Sequence, residues 1–263
     1  MDIRNVAFML ITLIIMIITS CQSTRNGTNI YSSGMRESAE KSDVENDNNS
    51  AEAYYNKGIK LSEDGDFAEA EIVFTDAIIR NNNWADPYAE RGYVRLMQGK
   101  FGEAIIDLNN AIELDSNHAF ALNNRGWLYV EFNRFSNAVL DASKAISLSK
   151  HPAYYDTRAW AYYYLEDYKK ARNDAEAALQ LDQYYFYSRA LLFRLDVEEF
   201  GKEAAIQYLR DYVSELPLEQ MEKDDYLLLQ YFLGHVSINV LKDYPQWFTF
   251  KTTLKFGYDD SEN

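Results

Sequence analysis

Between residues 51 and 185 the chain repeats itself. The segments 51–84, 85–118, 119–151 and 152–185 align with one another, at a step of 34 residues shortened by one in the third. A chain that returns to one side-chain pattern at this interval stacks one supersecondary unit on the next. It builds a continuous row of small cores and not a single globular one. Each unit carries a small residue (Gly58, Gly92, Gly126, Ala159), then an aromatic (Phe67, Phe101, Phe135, Tyr168). An alanine follows three residues later (Ala70, Ala104, Ala138, Ala171), and a second closes the unit (Ala77, Ala111, Ala145, Ala178). Small residues let two helices cross closely, and the aromatic is expected to plug the end of the hairpin they form. Only 11 Gly and 4 Pro interrupt 263 residues, which suits helices joined by short turns.

This pattern resembles the tetratricopeptide repeat (TPR). The resemblance implies an all-α fold, a right-handed TPR superhelix of α-α hairpins. The proline that usually ends such a repeat is replaced by Asn82, Ser116, Lys150 and Gln183, whereas Pro87 and Pro152 sit near helix starts, where proline is tolerated. A degenerate fifth hairpin is expected over 186–217, with Ala190, Ala205, Leu209 and Pro217 in register and a large residue near Phe193 in place of the glycine. A further apolar stretch, 223–241, carries Tyr226, Leu229, Leu233, Val236 and Val240 on one side. It is the candidate cap for the face that the last repeat of a solenoid leaves open. The TPR region is thus placed at 51–217, with cap helix and tail over 218–263.

Ahead of the repeats, residues 6–18 form an uncharged apolar run, too short for the roughly 20 residues of a transmembrane helix but suited to the core of a secretory signal. Ile18-Thr19-Ser20-Cys21 follows, and Cys21 is the only cysteine in the chain. The arrangement resembles the bacterial lipobox. It implies a signal peptide over 1–20 and a lipidated Cys21, anchored in the cell membrane or outer membrane of a bacterial envelope. Residues 22–50 are rich in Ser, Asn, Asp and Glu and bury too little apolar surface to offset chain entropy, so they read as a flexible tether.

The formal net charge is −15. Such a chain repels phosphate backbones and anionic headgroups, so nucleic acid is an unsuitable partner and membrane attachment falls to the lipid. The histidines are His118, His151 and His235, and the first two fall between repeats. No catalytic triad, glycine-rich phosphate loop or metal-ligand spacing is legible, so neither an enzyme nor a cofactor is expected. Arg91, Arg125 and Arg158 each precede an aspartate (Asp107, Asp141, Asp174) by the same interval. The paired carboxylates would cancel a basic ladder, so these read as structural ion pairs.

By the same resemblance, one stripe of each first helix lines a concave groove. Its members include Tyr55, Ile59, Tyr93, Phe120, Trp127, Trp160 and Tyr163, flanked by Asp86, Glu90, Glu131 and Asp156. They are the expected partner-binding residues, and the expected partner is an envelope protein or peptide, with self-association as a further possibility. The alternative is a sugar-binding protein or a component of an envelope hydrolase, because Trp and Tyr faces also stack on sugar rings. Finally, residues 247–258 alternate like a strand, with Phe248, Phe250, Leu254, Phe256 and Tyr258 on one side, in an otherwise helical chain.

Overall fold

A computed structural model describes residues 50–214. The readings of a leader, a tether, a cap over 223–241 and a strand-like tail over 247–258 lie outside the described residues.

The described residues form ten helices and no strand: α1 (Ala51–Glu63), α2 (Phe67–Arg80), α3 (Ala85–Met97), α4 (Phe101–Leu114), α5 (Ala119–Glu131), α6 (Phe135–Leu148), α7 (Pro152–Tyr164), α8 (Tyr168–Leu181), α9 (Phe186–Phe200) and α10 (Lys202–Ser214). Odd-numbered helices are the first (A) and even-numbered the second (B) of each hairpin. The architecture is an all-α solenoid of stacked helical hairpins. Successive A helices pack on one another, and each B helix packs on its own A helix and on the next.

Local chemistry places the boundaries. Ser50 caps α1 by accepting the Ala53 N–H at 3.1 Å. His118 and His151 do the same for α5 and α7 through Nδ1, taking the N–H groups of Ala121 and Ala153. These caps satisfy backbone donors that no helical carbonyl can reach. Each hairpin turn needs one residue with φ in the left-handed region: Gly65 (φ 84), Gly99 (74), Asn133 (57) and Glu166 (60). Glycine and asparagine tolerate that conformation, whereas Glu166 adopts it against the clash of its own Cβ. Between hairpins, Asn81, Asp115 and Asp182 turn the chain by accepting the N–H two residues on.

The alanines of the B helices, Ala70 and Ala77, Ala104 and Ala111, Ala138 and Ala145, Ala171 and Ala178, are all fully buried. The small residues of the A helices face them with unequal clearance. A Cβ on Gly58 would lie 2.6 Å from the Phe74 ring, and one on Gly92 would lie 2.9 Å from Leu108 Cγ. On Gly126 it would meet nothing nearer than 3.4 Å, and the fourth hairpin carries Ala159 at this position, fully buried. Phe74 and Leu108 are themselves fully buried and have little room to shift. Gly58→Ala and Gly92→Ala should therefore destabilise by about 1–3 kcal/mol. Gly126→Ala should be neutral or gain up to about 1 kcal/mol of helix propensity. Thermal melts of the three variants check the ranking; equal melting temperatures would show that the hairpin crossings are looser than this.

The turn aromatics do more than plug their own hairpins. Tyr168 is exposed and meets Tyr163 of its own hairpin, but the other three are half-buried and reach forward: Phe67 meets Tyr93 edge-on with ring centroids 6.4 Å apart, Phe101 meets Phe132 at 6.1 Å, and Phe135 stacks on Tyr164 at 4.8 Å. Each lands on the next A helix or its C-cap, so these rings join hairpins as well as closing them. The fifth hairpin departs from the pattern. Phe193 is buried where the glycine would be, α9 runs to 15 residues, and Gly201 (φ 89) alone separates it from α10. A bulky side chain at the crossing excludes the close approach that the other four hairpins make.

Candidate functional site

The three arginines on the A helices are held by aspartates on their own B helices. Arg91 grips Asp107 through Nε and Nη2 at 2.8 and 2.7 Å, Arg125 grips Asp141 at 2.7 and 3.0 Å, and Arg158 grips Asp174 at 2.7 and 2.7 Å. The third nitrogen of each guanidinium, Nη1, donates to the preceding hairpin's B helix: Arg91 to Thr75, Arg125 to Asn109, Arg158 to Ser143. A planar fork is the group that can satisfy a carboxylate and a hydroxyl or amide in one plane. Each arginine thus closes its own hairpin and stitches it to the one before. Asp107 also accepts from Arg95, which in turn reaches Glu71 of the first hairpin at 2.9 Å. This ladder is structural.

The opposite stripe of the A helices forms the candidate site. The structure brings its predicted members into one column but not to equal depth. Trp160 is only 2% exposed and packs in a core with Tyr163, Val130, Leu191, Leu192 and Leu195. Tyr163 donates a hydrogen bond to Glu198 and receives one from Arg194 of the fifth hairpin. Tyr93 and Phe120 are buried against each other, with ring centroids 5.7 Å apart. Tyr55, Ile59 and Trp127 are half-buried and keep surface available. Most of the column is therefore wall. The expectation that these residues line a groove fits the exposure of Trp127 and not that of Trp160, because the α9 leucines close over the latter.

The flanking carboxylates differ sharply among themselves. Asp86 accepts from Trp84 Nε1 and from His118 Nε2, the latter at 3.0 Å. Since His118 Nδ1 accepts the Ala121 N–H, the ring proton is on Nε2. Burial works against the charge on Asp86, but the His118 and Trp84 hydrogen bonds outweigh it and hold the carboxyl below its usual range. Glu90, one turn on, is 7% exposed and receives no hydrogen bond among the described residues. Burial first, and then the charges of Asp86 and Glu63, push its carboxyl up to about 8. The Tyr55 hydroxyl is raised too, by burial and by Glu90 and Asp86. Further along, Asp156 accepts from Ser188 at 2.7 Å; burial raises it to about 7 despite that bond. At the same register as Asp156 and Glu90, α5 presents Asn123 and Asn124. Both are buried, and among the described residues neither Asn123 Oδ1 nor Asn124 Nδ2 has a hydrogen-bond partner.

Glu90 and Asp156 are legible in the sequence as flanking acids, but their burial is not, and neither is the bond from His118 back to Asp86 of the preceding hairpin. The signal for that bond was present in the near-repeat interval between Asp86 and His118, which sets the foot of one A helix beside the next. Among the described residues no three His, Cys, Asp or Glu side chains converge as metal ligands, and no helix is long and apolar enough to cross a membrane.

Comparison with known proteins fits this geometry. A family model described as tetratricopeptide repeat matches residues 152–185. Comparison with curated protein sequences gives no match. Among solved structures, the chain is similar to Pseudomonas aeruginosa pilF, at 20% identity and TM-score 0.56, over 78% of this chain and 90% of that one. It is also similar to PilW, described as a widely conserved type IV pilus biogenesis factor, at 16% identity and TM-score 0.58, over 81% and 95% of the two chains. A thermophilic TPR protein of Thermus thermophilus superposes with TM-score 0.59 at 15% identity, over 70% of this chain and 99% of the other. At these identities the likeness is one of fold.

Proposed function

We propose that this TPR solenoid is a scaffold for protein–protein interaction, tethered to a bacterial envelope membrane by a lipid on Cys21, and that it holds a polypeptide against its A-helix face. The observation that carries the reading is the uneven column. Tyr93, Phe120, Trp160 and Tyr163 are locked in place as a rigid wall, and Tyr55, Ile59 and Trp127 stand half-exposed upon it. Pre-packed aromatic anchors of this kind bind at low entropic cost, because little is left to order on association. A saccharide would need whole ring faces to stack on, and Trp160 has none to offer; a polypeptide can use the partial faces of Tyr55 and Trp127. The lipobox-like Ile18-Thr19-Ser20-Cys21 and the polar stretch behind it support the tether. The type IV pilus biogenesis factor PilW among the similar structures fits an envelope role.

Cell fractionation with two variants of the full chain tests both halves. Cys21→Ser should leave the membrane fraction or remain unprocessed while still retaining its bound polypeptide. Trp127→Ala should stay with the membrane and lose about tenfold or more in affinity for that polypeptide, as truncation of a central aromatic anchor does. A Cys21→Ser protein that is cleaved and lipid-labelled as before would remove the tether from the account. A Trp127→Ala protein with unchanged affinity would remove the groove.

A further inference from the structure

The second hairpin holds a feature that a passive groove wall does not need. Glu90 is almost wholly buried, yet no described residue donates a hydrogen bond to it. Its nearest charged neighbours are like-charged: Asp86 one turn back on α3, and Glu63 at the end of α1. Asp86 is already fixed as an anion by Trp84 and His118, so it has no proton to offer Glu90. A buried carboxyl in this setting lowers stability, and leucine or glutamine would serve the fold better. Tyr55 stands near enough to feel the Glu90 charge, and Trp84 packs on Tyr55 with ring centroids 4.7 Å apart. Anionic oxygens flanked by aromatic rings are the recognition chemistry of an organic cation.

We infer that Glu90, with Asp86 and Glu63 beside it and Tyr55 on its flank, receives a lysine or arginine side chain of the bound polypeptide. The inference rests on the reading of the A-helix face as a polypeptide groove and specifies the partner: a segment that carries a basic residue among aromatic or aliphatic ones. The formal charge of −15 favours the encounter with such a segment. The ammonium or guanidinium supplies the donors that Glu90 lacks, and its charge favours the ionised carboxylate, whose proton passes to water.

The test is a fluorescence-anisotropy titration of the full chain with two labelled decapeptides, both end-blocked and built of alanine and tyrosine. One carries a single central lysine and the other norleucine at that place. The lysine peptide should bind at least about tenfold tighter, the value of one charge-assisted contact, and Glu90→Gln should erase the difference while binding the norleucine peptide as before. Equal affinity of the two peptides for the unaltered protein overturns the cation pocket and leaves the groove standing. Binding of neither overturns both. Should Glu90→Gln lose its helical circular dichroism, Glu63→Gln decides instead: a reduced lysine preference supports the pocket, and an unchanged one overturns it.

Discussion

Asp107→Ala should destabilise the solenoid by about 3–5 kcal/mol, more than any other single truncation on the ladder. Asp107 is 1% exposed and accepts from Arg91 Nε, Arg91 Nη2 and Arg95 Nη1 at 2.7–2.8 Å. Removing it leaves Arg91 and Arg95, one turn apart on α3, without the carboxylate they share, so that Arg91 keeps only Thr75 and Arg95 keeps Glu71 and Glu103. Arg125 and Asp141 form a simpler and somewhat more open pair, so Arg125→Ala should cost less, toward the lower end of the same range. Much of either loss is the cost of orphaning the partner. Replacing both members, as in Arg125→Met with Asp141→Leu, should recover a large part of it. Chemical denaturation measures each variant. An Arg125→Ala or Asp107→Ala protein that unfolds like the unaltered chain and loses only ligand binding would mean that the ladder is a binding device.

The second large effect depends on pH. Glu90 has an unfolded value near 4.5 and a folded value of about 8, so between those limits the folded state holds a proton that the unfolded state has released. The contribution of this group is therefore most favourable below the unfolded value, falls as pH rises through the window, and is least favourable above about 8. At ~1.4 kcal/mol per unit, the whole loss is on the order of 5 kcal/mol. Asp156, raised from 3.8 to about 7 by burial, adds a loss of the same sign over a lower and narrower window. The groups around Glu90 are Asp86 and Glu63, Tyr55 from α1, and His118 at the foot of α5. Glu90→Gln keeps the shape and removes the titration. Its melting temperature should exceed that of the unaltered protein by several degrees at pH 8.5 and match it near pH 5. A difference independent of pH would place the Glu90 carboxyl in water.

The fold was legible because its determinants are small residues in register. Gly58, Gly92, Gly126 and Ala159 mark the crossings, the paired alanines of the B helices mark the buried faces, and these alone give an all-α hairpin solenoid. The fifth hairpin was harder to read, since Phe193 sits where the pattern asks for glycine and the turn shrinks to Gly201. The site was legible in register but not in depth. Periodicity assigns Trp127 and Trp160 to one column, but the exposure of an A-helix ring is decided by the next hairpin. For Trp160 that neighbour brings Leu191, Leu192 and Leu195, which no repeat pattern specifies. Glu90 shows the same limit from the polar side. Its position on the stripe is a matter of spacing, but its lack of donors depends on Asp86 having taken both Trp84 and His118. Likewise the aspartates of the ladder were visible as partners of their arginines, whereas the donations to Thr75, Asn109 and Ser143 needed neighbouring hairpins in place.

The central claim, that a polypeptide lies along the A-helix face, is tested most directly by site-specific photo-crosslinking in cells. The full chain would carry p-benzoylphenylalanine in place of Trp127 on the A-helix column, or in place of Ile106, which is 59% exposed on the outer B helix α4. Irradiation should give a covalent adduct with a second polypeptide from position 127 and none from position 106. Adducts from position 106 alone, or from neither, would contradict the account.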